Sequence, residues 1–106
     1  MDIWAEYEIG LAGSDGARYT SYEQVRKDGI REYRNVLRRS KTVKIFVSND
    51  PLYQTYRGAR PQWTSRLHYY GEVYSSNGKY LFKDKGGKVR VMDEKGRFVK
   101  ASPFGL

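Results

Sequence analysis

The end of the sequence, from residue 66 onward, alternates short β-type runs with turn signals, and this pattern limits the fold more than any other feature. The runs read RLHYYGEVYS, KYLFKD, KVRVMD and RFVKA. Asn77-Gly78 separates the first two runs, and Asn-Gly is the strongest short-range hairpin signal because a type I′ turn needs positive φ at both positions. Gly86-Gly87 and the EKG stretch at 94–96 separate the others. The sequence therefore predicts four antiparallel strands connected as a meander.

Residues 20–39 have the pattern of one amphipathic helix. Two overlapping capping boxes begin at Thr20 and Ser21, in which a hydroxyl accepts a hydrogen bond from the backbone three residues later. Apolar side chains then recur at spacings close to three and four, which places them on one helical face, and Arg26 is predicted on the opposite, basic face. Gly29 interrupts the apolar stripe at a cost of about 1 kcal/mol relative to alanine. We expect this glycine to mark close packing against a sheet.

Two further β-type runs lie on either side of the helix. Residues 2–9 alternate apolar and polar side chains, and residues 41–50 are dense in β-branched residues, so each run predicts a strand. The glycine-rich segment 10–19 predicts a flexible loop that leaves the sheet. Residues 51–65 show no clear period and predict a long loop, a feature that is uncommon in compact domains and often functional.

These elements together predict an α+β fold in two layers. The order is β-α-β followed by an antiparallel β-meander, with one helix packed on a mostly antiparallel sheet of five to six strands. A chain of 106 residues fits one domain with one modest core. Residues 1–106 are therefore interpreted as a single domain.

Cysteine content and apolar patterning indicate the compartment. The chain has no cysteine, which excludes disulfides and thiolate sites and suits a reducing environment. The acidic, alternating N-terminus differs from a secretion signal, and no stretch approaches the ~20 apolar residues that span a bilayer. We therefore expect a cytoplasmic protein with no membrane partner.

The net charge of +8 is concentrated in the predicted helix and in the C-terminal strands. Residues 79–106 contain eight basic and three acidic residues, whereas residues 1–20 contain one basic and four acidic residues. This distribution favours a polyanionic partner, either nucleic acid or a nucleic-acid-processing protein complex with an acidic surface. The alternative interpretation is that a charge of this size serves solubility alone.

The predicted loop and the residues around it contain one group of candidate binding residues. Arginine pairs with phosphate, and tyrosine or tryptophan rings stack on bases, so interleaved arginines and aromatics suit a site for single-stranded nucleic acid. In the alternative, the rings pack against the core and the arginines stay solvated. These candidates are Tyr53, Tyr56, Arg57, Arg60, Trp63 and Arg66.

Further basic candidates lie on the predicted helix and beside the Gly86-Gly87 turn. Those on the helix would contact phosphates, although basic residues near a helix C-terminus also complement its dipole. Those at the turn would form a projecting cationic tip, although lysines at strand edges also prevent aggregation. These candidates are Arg31, Arg34 and Arg38 on the helix, with Lys83, Lys85 and Lys88 at the turn.

His68, the only histidine, is predicted to share one strand face with Tyr70, Glu72 and Tyr74. A histidine and a carboxylate carry proton transfer in metal-independent ribonucleases, but residues four apart on a strand are separated by about 13 Å. One histidine and no cysteine disfavour a zinc site, and no phosphate-loop or nucleophile-elbow motif occurs. The sequence assigns no catalytic residue, metal ligand or cofactor, and it favours a binding protein over an enzyme.

Three functions fit the sequence. The first is a small basic module that binds nucleic acid or a ribonucleoprotein. The second is a protein of phage or mobile-element type that binds and inhibits host nucleic-acid machinery, such as a CRISPR effector, because abundant tyrosine, tryptophan and arginine suit an interface. The third is a metal-independent endoribonuclease that uses His68, Glu72 and basic cross-strand neighbours.

Overall fold

One helix packs against an antiparallel sheet in the computed structural model, which describes residues 3–9, 12–13, 16–37, 41–48 and 67–100. The elements of these residues are β1 (Ile3–Ile9), β2 (Ala12–Gly13), β3 (Ala17–Tyr19), α1 (Tyr22–Asn35), β4 (Val43–Ser48), β5 (His68–Ser76), β6 (Lys79–Asp84) and β7 (Val89–Met92). The strand order is β2-β1-β4-β5-β6-β7, and β3 also pairs with β1. The predicted α+β fold with a meander is confirmed.

The segment after β1 returns along β1, so the prediction that it leaves the sheet is wrong. Both β2 and β3 pair with the edge of β1 that faces away from β4. A Cβ on Gly16 would collide with the Trp4 indole, so glycine is what lets the backbone cross this ring. The acidic first part of the chain therefore forms one border of the sheet.

Helix α1 begins where the capping pattern predicts. Ser21 is the N-cap, and its Oγ accepts a hydrogen bond from the backbone nitrogen of Gln24 at 3.2 Å. The helix ends at Asn35, before the predicted residue 39. At Gly29, a Cβ would lie 3.0 and 3.1 Å from side chains of β4 and β5, which confirms the close packing expected there.

The core lies between α1 and the central strands. Its side chains come from the apolar stripe of the helix and from alternate positions of β1, β4 and β5. Burying one such side chain contributes roughly 1.5–3 kcal/mol, so this layer is the main source of stability. The largest fully buried side chains are Ile3, Val25, Ile30, Val43, Ile45 and Val73.

The C-terminal strands form the predicted meander through β5, β6 and β7. Asn77 and Gly78 connect β5 to β6 with φ angles of 53° and 77°, as the Asn-Gly signal predicts. The predicted fourth strand is wrong, because the described part of that run contacts β7 through one bridge, Met92–Phe98, and one further backbone hydrogen bond. The Phe98 ring lies 6.0 Å from the Phe82 ring, so side-chain packing rather than a ladder holds this segment.

Two turns of the meander, Asp84–Lys88 and Asp93–Arg97, have the same construction. Each begins with aspartate, has a glycine of positive φ in fourth place and ends with a basic residue. In each, the aspartate Oδ1 accepts hydrogen bonds from the backbone nitrogens two and four residues later, at 2.8 to 3.0 Å. The aspartate backbone nitrogen donates to the carbonyl of the fifth residue, which closes the turn.

The surroundings of the two turns differ. A Cβ on Gly87 would meet nothing within 4 Å, whereas a Cβ on Gly96 would lie 2.5 Å from the backbone nitrogen of Lys27 on α1. We call Asp84–Lys88 the exposed turn and Asp93–Arg97 the docked turn. The same local structure therefore projects into solvent in the exposed turn and packs against α1 in the docked turn.

A chain of hydrogen-bonded phenols connects β1 and β3 to the helix. The Tyr7 hydroxyl has two acceptors at 2.9 Å, the Val25 carbonyl and the Tyr19 hydroxyl. Tyr19 in turn donates to the Asp28 carboxylate at 2.8 Å. Burial raises the pKa of Tyr7, and burial raises the pKa of Tyr19 to about 12. Both phenols therefore hold their protons at pH values where exposed tyrosines lose them.

Replacement of a turn glycine by alanine is expected to destabilise the protein more at the docked turn than at the exposed turn. Gly87→Ala should lower the free energy of unfolding by about 1–2 kcal/mol, because alanine is strained at positive φ. Gly96→Ala should lower it by about 3 kcal/mol or more, because its Cβ also collides with the α1 backbone. Urea denaturation of both variants measures the difference, and equal losses would contradict the docking of the second turn.

The phenol chain predicts loss of stability in alkali. Above pH 10 the unfolded chain ionises these tyrosines while the folded protein keeps Tyr19 protonated to about pH 12, so the free energy of unfolding should fall across this interval. Urea denaturation at stepped pH values measures the fall. Tyr7→Phe removes one of the two phenols and should make the fall in the free energy of unfolding shallower. An unchanged slope in this variant would contradict the conclusion that the buried phenols cause the loss of stability.

Candidate functional site

A groove of about 540 Å³ lies at the end of the sheet where β5 begins and β6 ends. The N-terminus of α1 and the exposed turn form its two sides. We call it the tyrosine groove, because three of its lining residues are tyrosines. It is lined by Tyr22, Val47, His68, Tyr69, Tyr70, Asp84, Lys85 and Gly86.

Arg26 holds the wall of this groove in place. Its guanidinium donates from Nη1 to the Tyr70 hydroxyl and from Nε to the Gly96 carbonyl, both at 2.8 Å. It also lies over the Phe98 ring, 4.1 Å from its centre. The residue is only 9% exposed, and no carboxylate within the described ranges forms a salt bridge with it. The prediction that Arg26 belongs to the solvated face of the helix is wrong.

Tyr70 is the centre of a packed aromatic wall. Its ring lies 4.9 Å from the Tyr22 ring and 4.8 Å from the Phe82 ring. Burial raises the pKa of Tyr70, and the hydrogen bond from Arg26 opposes this effect only in part. Tyr70 therefore keeps its proton at neutral pH, and its ring is packed between the rings of Tyr22 and Phe82.

The exposed turn and the last part of β6 together bring three predicted lysines to one end of the protein. Lys83, Lys85 and Lys88, which we call the tip lysines, are all exposed. Asp84 lies among them, but its Oδ1 is occupied by two backbone N–H groups of the turn. Within the described residues, no carboxylate forms a salt bridge with a tip lysine. Lys85 also lines the tyrosine groove, so a cationic group and an aromatic wall adjoin.

Two of the predicted helix arginines, Arg31 and Arg34, contact other residues of the protein. Arg31 pairs with Asp28 at 3.3 Å. Arg34 donates to the Tyr80 hydroxyl at 2.7 Å and lies 3.7 Å from the Glu94 carboxylate. Tyr80 precedes the exposed turn by four residues of β6, which is about 14 Å of strand. The described part of the chain therefore does not bring Arg31 and Arg34 into one cluster with the tip lysines.

The remaining predicted binding residues lie outside the described part of the chain. Their role stays a prediction from the sequence. They are Tyr53, Tyr56, Arg57, Arg60, Trp63 and Arg66 of the predicted loop, and Arg38 after the helix.

The predicted common face of His68 and Glu72 is wrong because β5 contains a bulge. Tyr69 pairs with Phe46 and Gly71 pairs with Ile45, so Tyr70 is an extra residue between them. The bulge shifts the alternation, so His68 and Tyr70 face the α1 side, whereas Glu72 faces the other side, between lysines of β4 and β6. The predicted pairing of His68 with Glu72 is thereby excluded.

Sequence reasoning missed Arg26 and Tyr22 as parts of the site. A signal for Arg26 exists in the helical spacing, because position 26 follows Tyr22 by four residues and precedes Gly29 by three. All three therefore share the packed face of α1. Because arginine is polar, the hydrophobic pattern does not count position 26 as part of the apolar stripe.

Neither a metal site nor a membrane-spanning helix occurs among the described residues. No three histidine, aspartate or glutamate side chains of the described residues form a group that could hold a metal ion. No helix among those residues is long and apolar enough to cross a membrane. The chain matches no family model, no curated protein and no solved structure.

Two arginines of α1 provide a test of the groove wall. Arg26→Ala should lower the free energy of unfolding by about 3 kcal/mol or more, because two buried hydrogen bonds from a charged donor are lost. Arg31→Ala should lower it by less than about 1 kcal/mol, because its salt bridge is exposed. Urea denaturation measures both, and similar losses in the two variants would contradict the role given to Arg26.

Proposed function

We propose that this protein binds nucleic acid through the tip lysines of the exposed turn and the tyrosine groove beside them. The observation that carries the proposal is the contrast between the two turns. The docked turn has its glycine packed on α1, and Asp93 pairs with the Arg97 side chain at 2.9 Å. The exposed turn has the same backbone, but its lysines extend into solvent without such a partner among the described residues.

Charge supports a phosphate backbone as the ligand of this end of the protein. Lysine contacts phosphate as a point charge, and each such contact releases a counterion from the nucleic acid. Two described carboxylates, Asp84 and Glu72, lie beside the three tip lysines, so the net charge of this end of the protein stays positive. The meander thus presents a basic surface to a partner. The lack of cysteine supports a cytoplasmic location for this activity.

The proposal assigns binding and no catalysis. Glu72 and His68 lie on opposite faces of β5, so the carboxylate required by the ribonuclease hypothesis is not beside the histidine. The helix arginines, which contact Asp28, Tyr80 and Glu94, are not required for the proposed contact. Affinity is expected to depend mainly on the meander end of the protein.

Replacement of the tip lysines tests the proposal. In a variant with Lys83→Gln, Lys85→Gln and Lys88→Gln, the slope of log affinity against log salt should become shallower by about 2 for single strands, because three phosphate contacts are lost. Fluorescence anisotropy of labelled DNA and RNA oligonucleotides, titrated across a salt series, gives this slope.

A matched variant controls for net charge. Lys27→Gln, Lys41→Gln and Lys95→Gln also remove three exposed lysines, but none belongs to the exposed turn. This control should keep a slope close to that of the wild type. Equal losses in both variants would mean diffuse electrostatic attraction and would count against a site at the turn. No binding by the wild type at low salt would overturn the proposal and favour an acidic protein partner.

A further inference from the structure

We infer that the tyrosine groove holds an unpaired base of a single-stranded nucleic acid, next to the phosphates that the tip lysines contact. This inference rests on the proposed function and narrows its ligand to single strands. Three features of the groove support it: its aromatic surface, the fixed position of its rings, and its size and location beside the tip lysine Lys85.

The groove presents the surface that a base requires. Its wall consists of aromatic rings, and base–aromatic stacking contributes affinity for any base because every base has a π-face. Tyr22 is partly exposed at the first turn of α1 and leans on Tyr70 at an interplanar angle of 31°. A duplex keeps its bases stacked inside, so only an unpaired base can lie against this wall.

The wall is also organised in advance. Tyr70 is fixed by the hydrogen bond from Arg26 and by ring contacts on two sides, with Tyr22 and with Phe82. A base that enters therefore does not have to order these rings, which removes a part of the entropic cost of binding.

The groove has the right size and position for one base next to a bound backbone. Its volume of about 540 Å³ lies within the range of small-ligand sites, roughly 300–1,000 Å³. Lys85 and Gly86 of the exposed turn form one of its sides. A phosphate on Lys85 and a base against Tyr22 would thus belong to neighbouring parts of one strand.

Abasic oligonucleotides separate stacking from phosphate binding. The probes are fluorescein-labelled oligo(dT) and oligo(U) of about 12 nucleotides, an abasic DNA strand of the same length and a DNA duplex. The wild type should bind oligo(dT) about tenfold more tightly than the abasic strand, because a stacked base contributes on the order of one factor of ten. Comparison of oligo(dT) with oligo(U) shows whether DNA or RNA is preferred.

Variants of Tyr22 test whether the tighter binding of oligo(dT) than of the abasic strand arises in the groove. Tyr22→Leu keeps an apolar side chain but removes the ring, and it should weaken oligo(dT) binding about tenfold while the abasic strand binds as before. Tyr22→Trp keeps a stacking ring and should retain the wild-type affinity. Tyr74→Leu removes a partly buried tyrosine that does not line the groove, so it serves as the matched control. Thermal denaturation of each variant establishes that it is folded.

The outcomes distinguish the two proposals. If the abasic strand binds as tightly as oligo(dT), and the tip lysine variant weakens both, the proposed function stands and the base site is overturned. The base site is also overturned if Tyr22→Leu weakens both strands equally, or if Tyr74→Leu has the same effect as Tyr22→Leu. If no probe binds at low salt, the proposed function fails and the base site fails with it.

Discussion

The arrangement of the site depends on one buried guanidinium. Arg26 connects α1 to β5 through Tyr70, to the docked turn through the Gly96 carbonyl and to Phe98 through its ring. A charged group removed from water is costly unless its donors are satisfied, so these partners must stay where Arg26 can reach them. The bulge in β5 and the glycine at position 96 both serve this requirement: the bulge accommodates Tyr70 on the α1 side, and the glycine leaves room for the turn.

The two aspartate–glycine turns illustrate how one local structure acquires two roles. Their hydrogen bonds are alike, and each turn ends with a basic residue. What distinguishes them is the presence of α1 beside the second turn and of solvent around the first. The docked turn packs on the helix at the edge of the core, whereas the exposed turn projects from the meander.

Features encoded by neighbouring residues could be predicted from the sequence. Ser21 begins the helix, Gly29 packs on the sheet and Asn77-Gly78 forms the hairpin, because each depends on local spacing. The tip lysines were predicted for the same reason, from their position around a glycine turn. The burial of Arg26 and the bulge at Tyr70 could not be predicted, because each depends on partners from distant parts of the chain.

The strand order arranges the charges of the protein in space. Among the described residues, β1, β2 and β3 carry two glutamates and one arginine at one border of the sheet, whereas the segment from Lys79 to Lys100, which contains β6 and β7 at the other border, carries eight basic and three acidic residues. The described sheet consequently has an electric dipole that runs across its strands. Toward a polyanion such as the ligand proposed above, such a dipole would turn the protein before contact, so that encounters begin with β6 and β7 leading and association is faster than with random orientation.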